Sequence, residues 1–252
     1  MDYVCVMHGL DRELNKRRLE RLLVVAFDSR AIPVVVLTKA DQAADLPTNL
    51  KSITSIVESA APEVKVVITS AATGQGVADF AELVSGGKTA VLLGLSGIGK
   101  STLVNALSDG VVQQTGEVRA TDRRGRHTTV TRDLIPLPNG GLLIDTPGVR
   151  EVGLWQADMG LAKTFQEITD AASKCQFGDC SHESEPNCAI QTGLTSSTLS
   201  TGRLDHWREL QEELDTQDTQ LEEFNRRSES RQRAKAQDKQ NKTRPKKKKR
   251  RK

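Results

Sequence analysis

The chain has 252 residues, which is enough for two domains, the larger with a full hydrophobic core. Its net charge of +3 is uneven: residues 226–252 carry 15 Lys/Arg and 2 Asp/Glu, leaving 21 basic and 31 acidic residues elsewhere. This excludes a uniformly basic protein and predicts that the tail is a separate electrostatic unit whose partner is a polyanion. No apolar run approaches the roughly 20 residues of a membrane span. No secretory signal precedes the first strand, so we expect a cytoplasmic protein without a membrane partner.

The first third of the chain alternates strand-like runs with stretches of helical spacing. DYVCVMHG predicts a short strand and RRLERLLVVAFDSR a helix. IPVVVLTKAD and EVKVVITSA predict strands buried on both faces, with the helix KSITSIVESAAP between them. After a turn-rich GQG, another helix leads to the strand TAVLLG. This alternation predicts an α/β fold whose mostly parallel sheet has helices on both faces, and ligands of such sheets bind at the carboxyl ends of the strands.

The next stretch, GLSGIGKST, matches the phosphate-binding pattern G-x-x-x-x-G-K-S. It lies between a predicted strand and the predicted helix STLVNALSDG, which is the context that the motif requires. Glycines let backbone N–H groups surround phosphates, and the helix N-terminus points partial positive charge at them. We expect Lys100 to reach the β- and γ-phosphates and Ser101 to bind Mg²⁺. The predicted nucleotide-binding residues here are Gly94, Leu95, Ser96, Gly97, Ile98, Gly99, Lys100, Ser101 and Thr102.

Two earlier motifs predict recognition of guanine. In TKAD, which contains Thr38, Lys39 and Asp41, Asp41 would accept hydrogen bonds from the N1–H and the 2-amino group of guanine. Adenine offers neither donor, and a site built on such bonds rejects the analogue that lacks them. Lys39 would pack along the nucleotide and the phosphate loop. In TSA, a backbone N–H at Ser70 or Ala71 could bind the carbonyl oxygen of the base. Taken alone, each motif also fits an ordinary polar surface after a strand.

Two later motifs fit the γ-phosphate side of such a site. DTPG follows the apolar run GGLLI and offers Asp145 toward Mg²⁺ and the Gly148 N–H toward the γ-phosphate. In GRHTTVT, Thr128 would contact the nucleotide and Thr129 would close on Mg²⁺; the alternative is an ordinary polar loop. Conventional GTPases begin at the phosphate loop, whereas here TKAD and TSA precede it. Because domain termini often lie close together, joining the old ends of the chain and opening it elsewhere preserves a fold. We therefore predict a circularly permuted GTPase.

Strand signals stop after about residue 157, where a Cys/His cluster, a helical stretch over residues 202–227 and the basic tail follow. Three thiolates and one imidazole within 14 residues suit tetrahedral zinc, and four protein ligands predict one structural ion per chain. The alternative is three buried cysteines and a surface histidine. The predicted ligands are Cys175, Cys180, His182 and Cys188. Cys5 is expected in the core, and His8 and His206 at the surface or as capping residues.

The motifs in this order resemble the ribosome small subunit-dependent GTPase A family (RsgA, also called YjeQ or EngC). The resemblance covers about residues 1–214, through RRLERLL, PVVVLTKAD, TSAATGQG, GLSGIGKSTLVNAL, GRHTTVTRDLIPLPNGGLLIDTPGVREVGLW and CQFGDCSHESEPNCAI. It implies a GTPase that acts in late maturation of the small (30S) ribosomal subunit, is stimulated by that subunit and contacts its rRNA. We expect a monomer. The family's fold begins with a β-barrel of oligonucleotide-binding type. Met1 lies where the GTPase domain's first strand begins, so we expect this chain to lack the barrel.

The predicted domains are a permuted GTPase domain over residues 1–156, a zinc-binding, largely helical domain over 157–225 and a basic disordered tail over 226–252. Many GTPases orient the attacking water with a Gln after the DxxG glycine, but Val149 stands there. His127, matched to the family, is the candidate substitute, and contact with RNA is its alternative role. Lys100 and Thr129 complete the predicted catalytic set. The neighbouring Arg123, Arg124 and Arg126 could stabilise charge or contact RNA phosphates.

Two other functions remain open from the sequence. An RNA-binding module with a vestigial nucleotide site is disfavoured by the intact GKS and DTPG motifs. An ATP-dependent kinase or ATPase is disfavoured by TKAD. The leading prediction is an enzyme that hydrolyses GTP to GDP and phosphate with Mg²⁺.

Overall fold

The computed structural model describes residues 1–45, 50–108, 133–146, 153–154 and 156–243. The strands in these ranges are β1 (Tyr3–Gly9), β2 (Ile32–Thr38), β3 (Lys65–Ile68), β4 (Thr89–Leu93), β5 (Asp133–Pro136) and β6 (Leu142–Asp145). The helices are α1 (Lys16–Asp28), α2 (Leu50–Ala60), α3 (Val77–Leu83), α4 (Lys100–Leu107), α5 (Asp158–Thr164), α6 (Gln166–Ala172), α7 (Ala189–Thr195) and α8 (Thr201–Thr243). A short 3-10 helix spans Ala40–Asp45.

The strands form one sheet in the order β3-β2-β1-β4-β6-β5. Every pair is parallel except β5–β6, so the predicted mostly parallel sheet is confirmed. Because the parallel strands share a direction, the residues that follow β2, β3, β4 and β6 meet at one edge. The edge strand β5 was not predicted, because its four residues include a single buried side chain, Ile135, and leave Leu134 exposed.

Side chains alternate between the two faces of the sheet, as the pleat of a strand requires. Val4 and Val6 of β1 join an apolar cluster with α1 and α2, whereas Cys5 and Met7 join one with α3 and α4. The core position predicted for Cys5 is confirmed, since its side chain is 0% exposed. With both faces covered by helices, the predicted α/β class is correct.

The C-terminal region from α5 to α8 contains no strand within its described residues, as the sequence predicted. Its apolar cluster is built around Phe165 and Leu161 and includes Val24 of α1. Gly160 permits this contact, because a Cβ there would lie 2.0 Å from the carbonyl oxygen of Val24. Helix α5 therefore packs directly on α1.

Buried charges join the same two regions. Glu20 of α1 accepts hydrogen bonds from Arg203 Nη1 (2.7 Å) and His206 Nδ1 (2.6 Å). Burial raises the pKa of Glu20, but the hydrogen bond from His206 and the charge of Arg203 outweigh it, so the pKa is lowered. Arg203 also donates to the carbonyl oxygens of Ala60 (3.2 Å) and Thr164. This network fixes α8 against α1 and the end of α2.

The prediction of a surface or capping position for His206 is wrong, since this residue is only 5% exposed and lies within α8 rather than at its end. It lies on the same face of α8 as Arg203 and Leu210, three and four residues away. Its partner Glu20 is 186 residues distant in the chain, so no local pattern signals the contact. His8 is partly buried, and its Nε2 lies 3.2 Å from the carbonyl oxygen of Arg12.

Helix α8 has 43 residues and a length of about 64 Å at 1.5 Å per residue. It includes the predicted helix over 202–227 and continues beyond it. The disordered tail predicted from residue 226 is therefore wrong for residues 226–243, and residues 244–252 lie outside the described ranges. Residues 203–244 contain no Gly or Pro, and extending an existing helix costs far less than nucleating one. No helix in the described part of the chain is long and apolar enough to span a bilayer.

Candidate nucleotide and metal sites

The predicted phosphate loop connects β4 to α4 at the functional edge of the sheet. Gly97 and Gly99 have φ angles of +76° and +99°, in the left-handed region that favours glycine. At Gly94, a Cβ would lie 2.2 Å from Ile98 Cδ1 and 3.0 Å from the carbonyl oxygen of Met7. Ser96 and Gly97 are exposed. The glycines therefore allow a loop whose backbone is open to an anion.

Lys100 opens α4 and directs its ammonium group back into the loop. Its Nζ donates to the carbonyl oxygens of Gly94 (2.9 Å) and Leu95 (2.8 Å). The residue is 7% exposed, and this burial lowers its pKa while the charge of Asp145 acts in the opposite direction. The ammonium is held in a low-dielectric setting, where its attraction for a phosphate is stronger than in water.

The TKAD motif at the end of β2 contacts the phosphate loop directly. Thr38 is 3% exposed, and its Oγ1 donates to the carbonyl oxygens of His8 (3.2 Å) and Ile98. Lys39 Nζ donates to the carbonyl oxygen of Gly97 (2.6 Å). The two motifs, far apart in sequence, thus form one continuous surface.

Asp41 and the TSA segment lie together at this sheet edge. Ser70 Oγ donates to Asp41 Oδ1 at 2.5 Å, which orients the carboxylate. The backbone N–H of Ser70 donates to the carbonyl oxygen of Gln75 (2.9 Å). Within the described residues, no hydrogen bond engages the N–H of Ala71. Of the two backbone donors that the sequence predicted, the geometry therefore favours Ala71.

Asp145 lies on the other side of the loop, beside Lys100. The β4–β6 register pairs it with Leu92, whose carbonyl oxygen accepts a bond from Thr146 Oγ1 (2.6 Å). Asp145 Oδ1 is buried and has no hydrogen-bond partner in the part of the chain that the structure describes. A buried carboxylate oxygen needs a donor or a cation. Together with the hydroxyl of Ser101, it offers the hard oxygen ligands that Mg²⁺ prefers.

The predicted γ-phosphate and water-positioning residues lie outside the described residues. They are His127, Thr128, Thr129 and Gly148, with the associated Arg123, Arg124, Arg126 and Val149.

The four predicted metal ligands come together in the C-terminal region. Their ligand atoms all lie within 4.8 Å of one another. His182 Nδ1 is 3.5 Å from Cys175 Sγ and 3.6 Å from Cys188 Sγ, and the two sulfurs are 3.9 Å apart. Tetrahedral zinc with ordinary bond lengths requires about 3.6 Å between nitrogen and sulfur and about 3.8 Å between sulfurs. The Cys175, Cys180, His182 and Cys188 cluster can therefore hold a metal ion, with His182 coordinating through Nδ1.

The cysteines of this cluster differ: the surroundings of Cys175 favour its thiolate, whereas burial raises the pKa of Cys180 to about 11. Burial raises the pKa of Cys175, but hydrogen bonds from the backbone N–H groups of Ala189 and Ile190 lower it, and the net direction is down. The thiolate is the form that binds metals.

Sequence reasoning missed the residues that fix the conformation of the ligand loop, which spans residues 175–188. Glu185 accepts from the backbone N–H (2.6 Å) and hydroxyl (2.5 Å) of Ser181 and from the N–H groups of Glu183 and Ser184. The Ser181 hydroxyl and these N–H groups lower the pKa of Glu185 to about 2. An acidic residue inside a short Ser-rich loop is the signal that could have identified it.

The ligand loop is also attached to α8. The carbonyl oxygen of His182 accepts from Gln191 Nε2 (2.6 Å) and from Arg208 Nη2 (2.9 Å) of α8. The His182 ring lies 6.3 Å from the ring of Trp207. Since α8 also contacts α1, this helix connects the metal cluster to the helix that packs on the sheet.

A second missed residue is Asp11, whose Oδ2 lies 2.8 Å from Lys39 Nζ. Asp11 follows β1 at the same sheet edge as the TKAD and phosphate-loop motifs. That position is the sequence signal from which its proximity to these motifs could have been predicted.

Comparison with protein families gives two matches. A family model described as RsgA GTPase matches residues 1–155. A model described as 50S ribosome-binding GTPase matches residues 89–237, beginning at the phosphate-loop strand.

Curated relatives match over most of this chain. A Streptomyces coelicolor protein named small ribosomal subunit biogenesis GTPase RsgA is 48% identical over 213 residues, which are 84% of this chain and 58% of the relative. A Lactiplantibacillus plantarum protein named small ribosomal subunit biogenesis GTPase RsgA 2 is 41% identical over 85% of this chain and 59% of its own length. The chain thus spans less than two thirds of these relatives.

Two solved structures share the fold. YjeQ from Thermotoga maritima has a TM-score of 0.59 and 26% identity, over 84% of this chain and 71% of that one. YloQ, described as a circularly permuted GTPase, has a TM-score of 0.57 and 23% identity, over 86% and 69%, and supports the fold alone. The permuted motif order predicted this family, and the match over residues 1–155 agrees: the chain belongs to the RsgA GTPase family.

Proposed function

We propose that the chain binds guanine nucleotides and hydrolyses GTP to GDP and phosphate. One observation carries the proposal. The Asp41 carboxylate and the Lys100 ammonium lie at one sheet edge, and Lys39 joins their two motifs through its hydrogen bond to Gly97. This arrangement supplies a base-reading group and a phosphate-binding group on one surface.

In this proposal each end of the surface has its own task. The base side would read guanine through Asp41, with the Ala71 N–H toward its carbonyl oxygen. The loop N–H groups and Lys100 would bind the phosphates. Ser101 and Asp145 fit Mg²⁺, which when bound neutralises phosphate charge. Phosphoryl transfer needs this positioning and neutralisation more than covalent chemistry.

Selectivity for guanine tests the proposal most directly. Asp41→Asn replaces an acceptor by an amide that can donate to the 2-oxygen of xanthine. We expect GDP affinity to fall about 100-fold, because hydrogen bonds to a charged group are lost, and affinity for xanthosine diphosphate to rise. Titration with fluorescent GDP, ADP and xanthosine diphosphate measures both changes. Glu58→Gln, an exposed acid on α2, is the control. If Asp41→Asn keeps an unchanged preference for guanine, Asp41 does not bind the base.

We further propose that the chain acts in maturation of the small ribosomal subunit and is stimulated by that subunit. The support is the name that relatives of 41–48% identity carry. The basic residues over 226–252 suit contact with rRNA, which should weaken steeply with salt. We propose that the protein acts as a monomer.

For stimulated hydrolysis we propose that His127 positions the attacking water, since Val149 cannot. We expect His127→Ala to bind a nonhydrolysable GTP analogue normally and to lose most of the stimulation by small subunits. Completing such a site is worth about 10³–10⁵ in other GTPases. Turnover is measured with and without small subunits for wild type, His127→Ala and Arg126→Ala. If His127→Ala is stimulated as strongly as wild type, another group positions the attacking water, with Arg126 as the first candidate.

For the metal cluster we propose one structural Zn²⁺ per chain. The support is the agreement between the ligand separations and tetrahedral geometry, with all four positions supplied by protein. Three thiols this close stay reduced as metal ligands in the cytoplasm, where we place the protein.

A further inference from the structure

We propose that Asp11 is the positioning residue for Lys39, and that this ion pair holds the phosphate loop in its nucleotide-binding shape. The inference rests on the proposed guanine-nucleotide function. It adds a residue that lies outside the sequence motifs of the site.

The contact itself is a bridge. Lys39 Nζ lies 2.8 Å from Asp11 Oδ2 and 2.6 Å from the carbonyl oxygen of Gly97. The Lys39 and Asp11 side chains are 25% and 20% exposed. Such a pair is less screened by water than a pair on the open surface. The ammonium is therefore held between a fixed carboxylate and the exposed part of the loop.

The backbone directs the Lys39 side chain into this bridge. Its φ angle is +57°, a left-handed conformation that is uncommon for residues with a Cβ. Such conformations persist where the surroundings enforce them, and they cluster at functional sites. Here the neighbours on both sides are anchored: Thr38 Oγ1 bonds the loop at Ile98, and the N–H of Ala40 donates to Thr69 (3.1 Å).

The end of β1 brings Asp11 to the same place. The N–H of Leu10 donates to the carbonyl oxygen of Thr38 (2.8 Å), which extends the pairing with β2 beyond the strand. Gly9 leaves the space that the carboxylate occupies, because a Cβ there would lie 2.5 Å from Asp11 Oδ1 and 3.5 Å from Ile98 Cα. Three segments, the ends of β1 and β2 and the phosphate loop, therefore meet at Asp11.

Arg12 orients the Asp11 carboxylate from the solvent side. Its Nε lies 3.1 Å from Asp11 Oδ1 and its Nη2 lies 2.8 Å from Oδ2. Hydrogen bonds from Arg12 and then Lys39 hold the pKa of Asp11 well below its usual range, so the carboxylate stays charged. Arg12 itself is 43% exposed, and its side-chain hydrogen bonds among the described residues go to Asp11 rather than to the Gly97 carbonyl. The link from carboxylate to loop runs through Lys39.

The bridge engages the backbone of the loop at Gly97, on the side facing TKAD. Weakening it should therefore affect GDP and GTP equally. It should raise the Kd and KM without lowering kcat at saturating GTP, because Lys100 keeps its own contacts. A merely structural role for Asp11 would not produce this split.

The experiment is a double-mutant cycle on fluorescent GDP affinity with Asp11→Asn, Lys39→Met and the double variant. We expect Asp11→Asn to raise the Kd about 10-fold, as loss of a hydrogen bond to a charged group does. In the Lys39→Met background the same change should add less than about twofold, because interacting residues are not additive. Asp11→Glu should restore most of the affinity. Glu13→Gln removes an exposed acid from the same loop and should match wild type.

Equal effects of Asp11→Asn with and without Lys39 would overturn the inference, and so would an unchanged Kd. If Asp11→Asn lowers the melting temperature strongly, Asp11→Glu replaces it in the double-mutant cycle. The smaller increase in Kd caused by Asp11→Glu must then disappear in the Lys39→Met background. If the wild-type protein does not bind GDP, the proposed function itself is wrong. If it binds GDP tightly but the effects of Asp11→Asn and Lys39→Met on the Kd simply add, only the role of Asp11 is wrong.

Discussion

Replacing Lys100 by alanine is expected to lower GTP turnover by about 10²–10³-fold or more, with and without small subunits. The ammonium sits inside the phosphate loop, is 7% exposed and is held by two carbonyl oxygens. Charge that develops on the phosphates during transfer would lose its nearest compensating cation. Phosphate release under saturating GTP measures the effect, and fluorescent GDP shows how much of it is lost binding.

Lys88→Ala is the matched control for this variant. Lys88 is exposed and directly precedes β4, at the opposite end of the strand that leads into the phosphate loop. Its removal changes the net charge equally and should leave turnover within about twofold of wild type, as surface substitutions do. Turnover by Lys100→Ala equal to that of Lys88→Ala would mean that the loop does not bind the transferred phosphate.

Loss of the metal is expected to unfold the ligand loop and loosen α8. Structural zinc contributes about 10–16 kcal/mol of apparent binding free energy, which is comparable to the whole stability of a domain. We expect one zinc per chain in protein purified without chelator, and none in the double variant Cys180→Ser/His182→Ala. Elemental analysis measures this directly. Trp207 reports the loop, because its ring lies 6.3 Å from that of His182. Its fluorescence should change on chelation in a Trp155→Phe background.

Cys5→Ala is the control, since Cys5 is a fully buried cysteine of β1 outside the cluster. It should retain the full zinc content. Undiminished zinc in the double variant would contradict the ligand assignment, and a folded ligand loop without zinc would contradict the structural role.

The sequence predicted the sheet edge and the metal cluster well because each rests on a short motif with a fixed local context. A glycine loop between a strand and a helix, or four ligands within 14 residues, can be recognised without knowledge of the rest of the chain. The alternating elements then determined the α/β class. These predictions required no knowledge of which distant residues touch.

Contacts between segments that are distant in the chain could not be predicted from such local motifs. Glu20 and His206 meet only because α8 packs on α1, and nothing near either residue indicates its partner. Asp11 meets Lys39 for the same reason, through the adjacency of β1 and β2. The sequence predicts too short a helix here because residues 226–243 are mostly polar and basic, whereas a helix anchored at its start can continue without an apolar face.

The permuted order of the motifs also fixes the order in which the parts of the sheet edge are synthesised. The first three strands are neighbours in the sheet, and the buried members of their cluster with α1 and α2 all lie between Val4 and Val64. The buried residues of this cluster are therefore all synthesised before β4, which pairs with β1. The segment that carries Thr38 and Lys39 is likewise made before the phosphate loop that both residues contact. The phosphate loop arrives later and settles against it through Ile98 and Gly97. In a conventional GTPase the phosphate loop is made first, and the base-reading edge must close over it last.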